Sequence, residues 1–253
     1  MRENHLKTQL QAQEVVLGLF INSTDPALVE IGSYAGFDFV VIDLEHGALD
    51  ISVAVNLCRA ADGLGLAPLV RVAKNDPAQI QAALDIGSAG VLVPQVQTEA
   101  EAIAAVKAAK FNPLGTRGLS FATRAGMYGA AGTQITEEMN HKSLVIVQVE
   151  GTEGVDNIEA IARVPHLDGI FLGPYDLSQS LGIPGQVRDM QVISLMQQCV
   201  GVIRQSGKFV GTYADNPEIA KEWINLGVQL VAVGVDVVVF LKACQSLVAQ
   251  IDN

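Results

Sequence analysis

In this 253-residue chain, four apolar runs stop at side chains that could do chemistry. Phe39-Val40-Val41-Ile42 leads into Asp43-Leu44-Glu45-His46-Gly47, and Arg71 stands between Val70 and Val72. Val145-Ile146-Val147 continues as Gln148-Val149-Glu150, and Ile170-Phe171-Leu172 as Gly173-Pro174-Tyr175-Asp176. His46, at a strand end beside carboxylates, is a candidate catalytic residue, since histidine titrates near neutral pH. A lone histidine is more often a surface or satisfied core residue; the flanking carboxylates favour catalysis here. An arginine among apolar neighbours must be paired, because burying an unmatched cation is costly. For Arg71, an ion pair with Asp43 or Glu45 and a role in binding an anion stand level.

Strand alternation puts Gln148 and Glu150 on one face, and Asp176 arrives just past the end of the next run. Two acids on neighbouring strand ends approach closely only with a shared proton or a cation. A hard divalent ion such as Mg²⁺, held by a few carboxylates with positions left for water and substrate, suits them. Singly, each acid reads as a helix N-cap, as Asp176 could be before Leu177-Ser178; as a pair they favour the metal. Asp85 is anomalous in another way. It falls near the end of a helix read over Ala78–Ile86, just before Gly87, where the macrodipole disfavours negative charge. That invites a functional reason, although a solvated acid is the ordinary explanation. His5, His141 and His166 have no clustered partners and receive no role.

The elements that must position these groups are eight short apolar, β-branched runs: Val15–Ile21, Phe37–Asp43, Pro68–Val72, Gly90–Val96, Leu144–Glu150, Gly169–Leu172, Phe209–Tyr213 and Leu230–Gly234. Helical periodicity separates them, clearest in Met190–Gln205 and in the final segment, where Phe240, Cys244, Leu247 and Ile251 share a face. Asp25-Pro26, Asp76-Pro77 and Asn216-Pro217 each pair a capping side chain with proline at the first helical position, and Thr98-x-x-Glu101 fits a capping box. Eight βα units in one chain predict a single (β/α)8 barrel spanning residues 1–253, with chemistry at the carboxyl ends of its strands. A doubly wound open sheet is the competing architecture, but no G-x-G-x-x-G follows the first run. The stretch from Asn112 to Lys142, rich in glycine and poor in periodicity, reads as a long functional or mobile loop.

Composition narrows the function. With 49% hydrophobic and 17% charged residues the chain must fold around a core, yet no run reaches the ~18 apolar residues of a membrane span. The polar start, Met1 to Lys7, lacks the apolar region of a secretory signal, so a cytoplasmic location is expected. A net charge of −11 repels phosphate backbones, which argues against nucleic acid as a partner. Cys58, Cys199 and Cys244 are far apart and each falls in a helical segment, so they read as small buried hydrophobes.

Taken in order, Asp43-x-Glu45-His46, Arg71, Asn75-Asp76-Pro77, Leu84-Asp85-x-Gly87, Val93-Pro94-x-Val96, Gly115-x-Arg117-Gly118, Gln148-x-Glu150 and Gly173-Pro174-x-Asp176-Leu177-Ser178 resemble the HpcH/HpaI aldolase family. These are metal-dependent class II pyruvate aldolases. The resemblance implies Glu150 and Asp176 as ligands of a divalent cation, Mg²⁺ or Mn²⁺ first and Co²⁺ as an alternative. It implies His46 as general base, Arg71 as the residue that stabilises the transition state, and Asp85 as the acid that raises the basicity of the histidine. Gln148, Gly173, Tyr175 and Asp176 become substrate contacts, for a 2-oxo acid such as pyruvate and an aldehyde. It also implies a homo-oligomer, usually a hexamer, in which the last helix is exchanged between subunits. Because a simple barrel puts Asp85 at the face opposite the mouth, its route to His46 runs more easily across a subunit boundary. Tyr175 and Val235 stand where the family has small residues, which leaves the aldehyde open. A Schiff-base aldolase would need a lysine at a strand's carboxyl end, where only Lys74 comes near. A lyase of CoA thioesters would want a basic surface, and a noncatalytic oxo-acid-binding barrel would need no base beside a metal.

Overall fold

The computed structural model describes residues 4–251. Eight strands, β1 Val16–Ile21, β2 Phe39–Asp43, β3 Ala67–Arg71, β4 Gly90–Val93, β5 Leu144–Val149, β6 Gly169–Leu172, β7 Phe209–Ala214 and β8 Leu230–Val235, pair in parallel and in sequence order. β8 returns to β1, which closes the barrel and leaves no strand edge. Around it run α1 His5–Gln11, α2 Pro26–Tyr34, α3 Ile51–Leu64, α4 Pro77–Asp85, α5 Glu99–Ala109, α6 Ile135–Lys142, α7 Thr152–Asp156, α8 Ile158–Ala162, α9 Pro174–Ser180, α10 Met190–Gln205, α11 Pro217–Leu226 and α12 Asp236–Ile251. The expected (β/α)8 fold is thus present. The expected caps are present too: Asp25, Asp76 and Asn216 each accept a backbone N–H of the following first turn, and Thr98 and Glu101 form the reciprocal capping box.

Most strands are buried on both faces, so the runs are continuously apolar and alternation sorts them into two cores; Leu17 on β1 is an exposed exception. Val40, Ile42, Val70, Val145 and Val147 point outward into the layer shared with the helices. Phe39, Val41, Ala67, Leu69, Leu144, Ile146 and Phe171 fill the barrel interior. Continuing this period of two places Asp43, Arg71 and Gln148 on the inward face, one layer above the apolar filling. The register sets Asp43 directly beside Arg71, and Gln148 beside Phe171. The site is therefore the top layer of the interior, built by the same alternation that builds the core.

Several elements differ from expectation. The fourth strand ends at Val93 rather than Val96, because Pro94 cannot donate to the ladder and Gln95 adopts a left-handed backbone at φ 56°. The polar beginning of the chain contains α1, whose Leu6 and Leu10 plug the floor of the barrel; Asn4 Nδ2 donates to Ala89 O and Lys142 O at 2.8 Å each. The 112–142 stretch is not one loop, since its last eight residues form α6. Phe111, Ala125, Ile135 and Met139 form a small core of their own there. Lys110 ties its ends together by donating to Asn140 O and Ser143 O at 2.8 Å, and burial pushes its ammonium down to about 8.

The last helix lies apart from the core. Of its residues only Asp236 is buried in the chain alone, while Phe240, Leu241, Leu247, Val248 and Ile251 are exposed. Cys58 and Cys199 are buried as expected, but Cys244 is only partly covered because α12 leaves its apolar face open. The foot of α12 is nonetheless fixed: the Asp236 carboxylate accepts from Asn22 N at 3.0 Å, Ser23 N at 2.9 Å and Val237 N at 2.7 Å.

Interior packing depends on small residues placed against rings. A Cβ on Gly18 would lie 2.3 Å from the Phe39 ring, which is wholly buried. Gly18→Ala should lower unfolding free energy by about 1–3 kcal/mol through overpacking. Urea unfolding checks it, and adding Phe39→Leu should return part of the loss.

Candidate active site

Arg71 is the centre of the mouth. Its Nε and Nη2 donate to Asp43 Oδ1 and Oδ2, both at 2.8 Å, in a buried bidentate pair. Its Nη1 stands 3.1 Å from Glu45 Oε2, close enough for charge pairing but not aligned as a hydrogen bond. Its guanidinium also lies over the Phe20 ring, 4.8 Å from the centroid. Burial alone would lower the Arg71 pKa, but the hydrogen bonds and charge of Asp43, joined by Glu45, raise it. The ion pair is thus formed, and the cation is fixed for use as a positive charge. Asp43 also accepts from Glu45 N at 3.0 Å and His46 N at 3.3 Å. The same carboxylate that holds Arg71 folds the turn that presents His46. The His46 ring is 67% exposed, and Nε2 lies 3.8 Å from Glu45 Oε2. Desolvation raises the Glu45 pKa, with Arg71 the largest opposing influence.

Glu150 and Asp176 approach from adjacent strand ends. Glu150 accepts from Gln95 N at 2.9 Å and from Gln148 Nε2, and a Cβ on Gly173 would lie 2.7 Å from its Cβ. Gly173 therefore makes room for the carboxylate, which is a reason for a glycine there. Desolvation first and the charge of Asp176 second push Glu150 up to about 7. Asp176 caps nothing: α9 starts after Gly173 and has no side-chain cap. The Gln148 Oε1 oxygen is buried without a hydrogen-bond partner. Two mutually repelling carboxylates and an orphaned amide oxygen are a donor set that would suit a hard, oxygen-preferring cation. Among the described residues no group of three or more His, Cys, Asp or Glu side chains could hold a metal, so other ligands would be water or substrate.

Asp85 is not brought to His46 within the chain. It ends α4, hence lies at the floor of the barrel, where Arg117 Nη2 donates to it and Ala125 N donates to its backbone oxygen. The floor also contains a cavity of about 510 Å³ beside Asp62, Arg124 and Tyr128. The 112–134 segment packs at this end, with Arg124 bonding Ile86 O and pairing with Asp62.

Some mouth residues escaped the sequence reading as site residues. Gln95 holds Glu150 through its N–H and donates its Nε2 to Glu45 Oε1 at 3.0 Å. Asp215 accepts the Tyr175 hydroxyl. Gln95 carried a signal in its place after Pro94, which cannot donate to a strand ladder; Asp215 carried one as an acid just past the seventh run.

The molecule is a (β/α)8 barrel with acid–base and carboxylate groups gathered at the carboxyl ends of its strands. The HpcH/HpaI aldolase/citrate lyase family model matches residues 16–243, and the chain belongs to that family. It is 37% identical over 244 residues to a 5-keto-4-deoxy-D-glucarate aldolase of Citrobacter koseri, covering 96% of this chain and 95% of that one. It is 36% identical over 249 residues to a pyruvate aldolase of Rhizobium etli, covering 98% and 97%. The crystal structure of an HpcH/HpaI aldolase/citrate lyase family protein from Burkholderia cenocepacia superposes with a TM-score of 0.94 at 32% identity, over 99% of this chain and all of that one.

Two outcomes follow from the buried charges. Asp43→Ala should destabilise the protein by about 3–5 kcal/mol, because it strands the Arg71 cation. Denaturant unfolding measures this, and Asp43→Ala/Arg71→Met should recover much of the loss. In the metal-free protein, Glu150 binds its proton more tightly folded, at about 7, than at its ordinary 4.5. Its contribution to stability is complete below pH 4.5 and is lost as pH rises through 7. Melting in EDTA across that window should show a decline that Glu150→Gln flattens.

Proposed function

We propose that the protein is a metal-dependent class II aldolase. It cleaves or forms 4-hydroxy-2-oxo acids, giving pyruvate or a related 2-oxo acid and an aldehyde. The observation that carries this is the Glu150–Asp176 pair with the orphaned Gln148 oxygen, set beside a fixed guanidinium and an exposed histidine. The names of the Citrobacter and Rhizobium relatives support it.

Glu150 and Asp176 would hold Mg²⁺ or Mn²⁺, with Co²⁺ as an alternative; bound there, the ion supplies Lewis-acid polarisation of the 2-oxo acid. His46, exposed on a turn braced by Asp43, takes the proton of the C4 hydroxyl as the C3–C4 bond breaks, and returns one in the reverse direction. Arg71 stays protonated throughout and, locked by Asp43, stabilises the negative charge of the enolate without reorganising. Gln148, Gly173, Asp176 and the backbone at Tyr175 contact the oxo acid, Gly173 by leaving space beside Glu150.

Asp85 acts on a neighbouring subunit's His46, since Arg117 holds it at the opposite end of its own barrel. The exposed apolar face of α12 fits exchange between subunits in a homohexamer, and a monomer on a sizing column would remove both features. Each chain acts as one barrel domain in the cytoplasm. Among the described residues no helix is long and apolar enough to cross a membrane.

Pyruvate release from a panel of 4-hydroxy-2-oxo acids tests the reading. EDTA should abolish turnover, Mg²⁺ or Mn²⁺ should restore it, and Glu150→Ala should remove nearly all of it. Borohydride with pyruvate should leave no adduct; a trapped adduct or metal-independent turnover would overturn the mechanism.

A further inference from the structure

Tyr175 is the residue before Asp176 and is 39% exposed in the mouth. Its hydroxyl donates to Asp215, just past β7. The ring packs edge-on against Tyr213 at 6.0 Å between centroids, Tyr213 packs on Phe20 at 5.8 Å, and Phe20 lies beneath the Arg71 guanidinium. An unbroken aromatic wall therefore runs from the buried cation to the rim along the β1, β7 and β6 side. His46 stands beyond β2, and Gln148 and Glu150 belong to β5 and its end. The Tyr175 hydroxyl is already committed as a donor to Asp215. What the wall offers a ligand is ring face.

The side-chain charges around the wall are one-sided, and a divalent ion held by Glu150 and Asp176 would offset those two acids but not Asp215. Asp43, Glu45, Glu150, Asp176 and Asp215 all lie at strand ends, and the buried cation among them, Arg71, already faces Asp43 and Glu45. Lys74, after β3, is exposed, where water and salt screen its pull. A second carboxylate entering beside Asp215 would be desolvated next to a like charge.

We propose that Tyr175 and Asp215 form the acceptor side of the site and select aldehydes with an uncharged hydrocarbon or aromatic substituent over aldehydes bearing a carboxylate. This rests on the aldolase reading above and names its substrate class. The hydrocarbon part lies on the wall, while Asp215, held by Tyr175, repels an anionic substituent.

The test uses the Mg²⁺-loaded protein, pyruvate, and two four-carbon acceptors that differ in a terminal carboxylate, butanal and succinic semialdehyde. The wild type should favour butanal in kcat/KM by about tenfold or more, the scale of one unfavourable charge contact. Asp215→Asn and Tyr175→Arg should each narrow that ratio about fivefold or more within the same variant. Equal use of both acceptors, preference for succinic semialdehyde, or a ratio unmoved in both variants would overturn the assignment. Exchange of the pyruvate methyl hydrogens with D₂O, followed by NMR, needs no aldehyde and separates the two failures. Metal-dependent exchange with the wrong acceptor preference sinks this proposal alone. Absence of both exchange and addition sinks the aldolase reading, and this proposal with it.

Discussion

The buried pairing of Asp43 with Arg71 is the constraint around which the mouth is arranged. An isolated guanidinium at this depth would be untenable, and a carboxylate alone would take up a proton. Together, in neighbouring register on β2 and β3, they satisfy each other with two parallel hydrogen bonds. Asp43 then uses one of the same oxygens to gather two backbone N–H groups of the turn that carries Glu45 and His46. A cation and a base on different strands thus share one brace, and neither can shift without the other.

A second shared brace lies across the mouth. Gln95 links Glu45 to Glu150 from a left-handed backbone position, and Gly173 yields the volume that Glu150 occupies. Left to themselves, the acids repel: Glu150 feels Asp176 and Glu45 as well as the loss of water. The barrel tolerates this because eight strands, packed between an apolar interior and the helix layer, hold their ends in place. Stability resides in the apolar cores, and the repelling acids sit above them at the rim.

Most of the fold was legible because periodicity and capping chemistry are local. Asp76-Pro77 and Thr98-x-x-Glu101 announce helix starts whatever surrounds them. The strand-end rule likewise located His46, Arg71, Glu150 and Asp176 before any contact was known. What stayed hidden depends on distant partners. α1 is helical because Leu6 and Leu10 close a floor made by strands far along the chain, and α6 is held through Lys110 and Phe111. Whether Arg71 would meet an acid or an anion could not be decided from residue types, since both satisfy the same cation. Asp215 gained its meaning only from Tyr175, forty residues away.

The anchoring of Asp236 has a mechanical consequence. Three backbone N–H groups hold its carboxylate, two of them from the turn after β1, so the first residue of α12 is a fixed post. The sixteen-residue helix that starts at this post is an arm of about 24 Å at 1.5 Å per residue. On such an arm a rotation of ~10° about the post carries the far end through roughly 4 Å, most of one helical pitch. The angle of α12 can thus change the placement of Phe240, Leu247 and Ile251 against another surface while the barrel rim stays where it is.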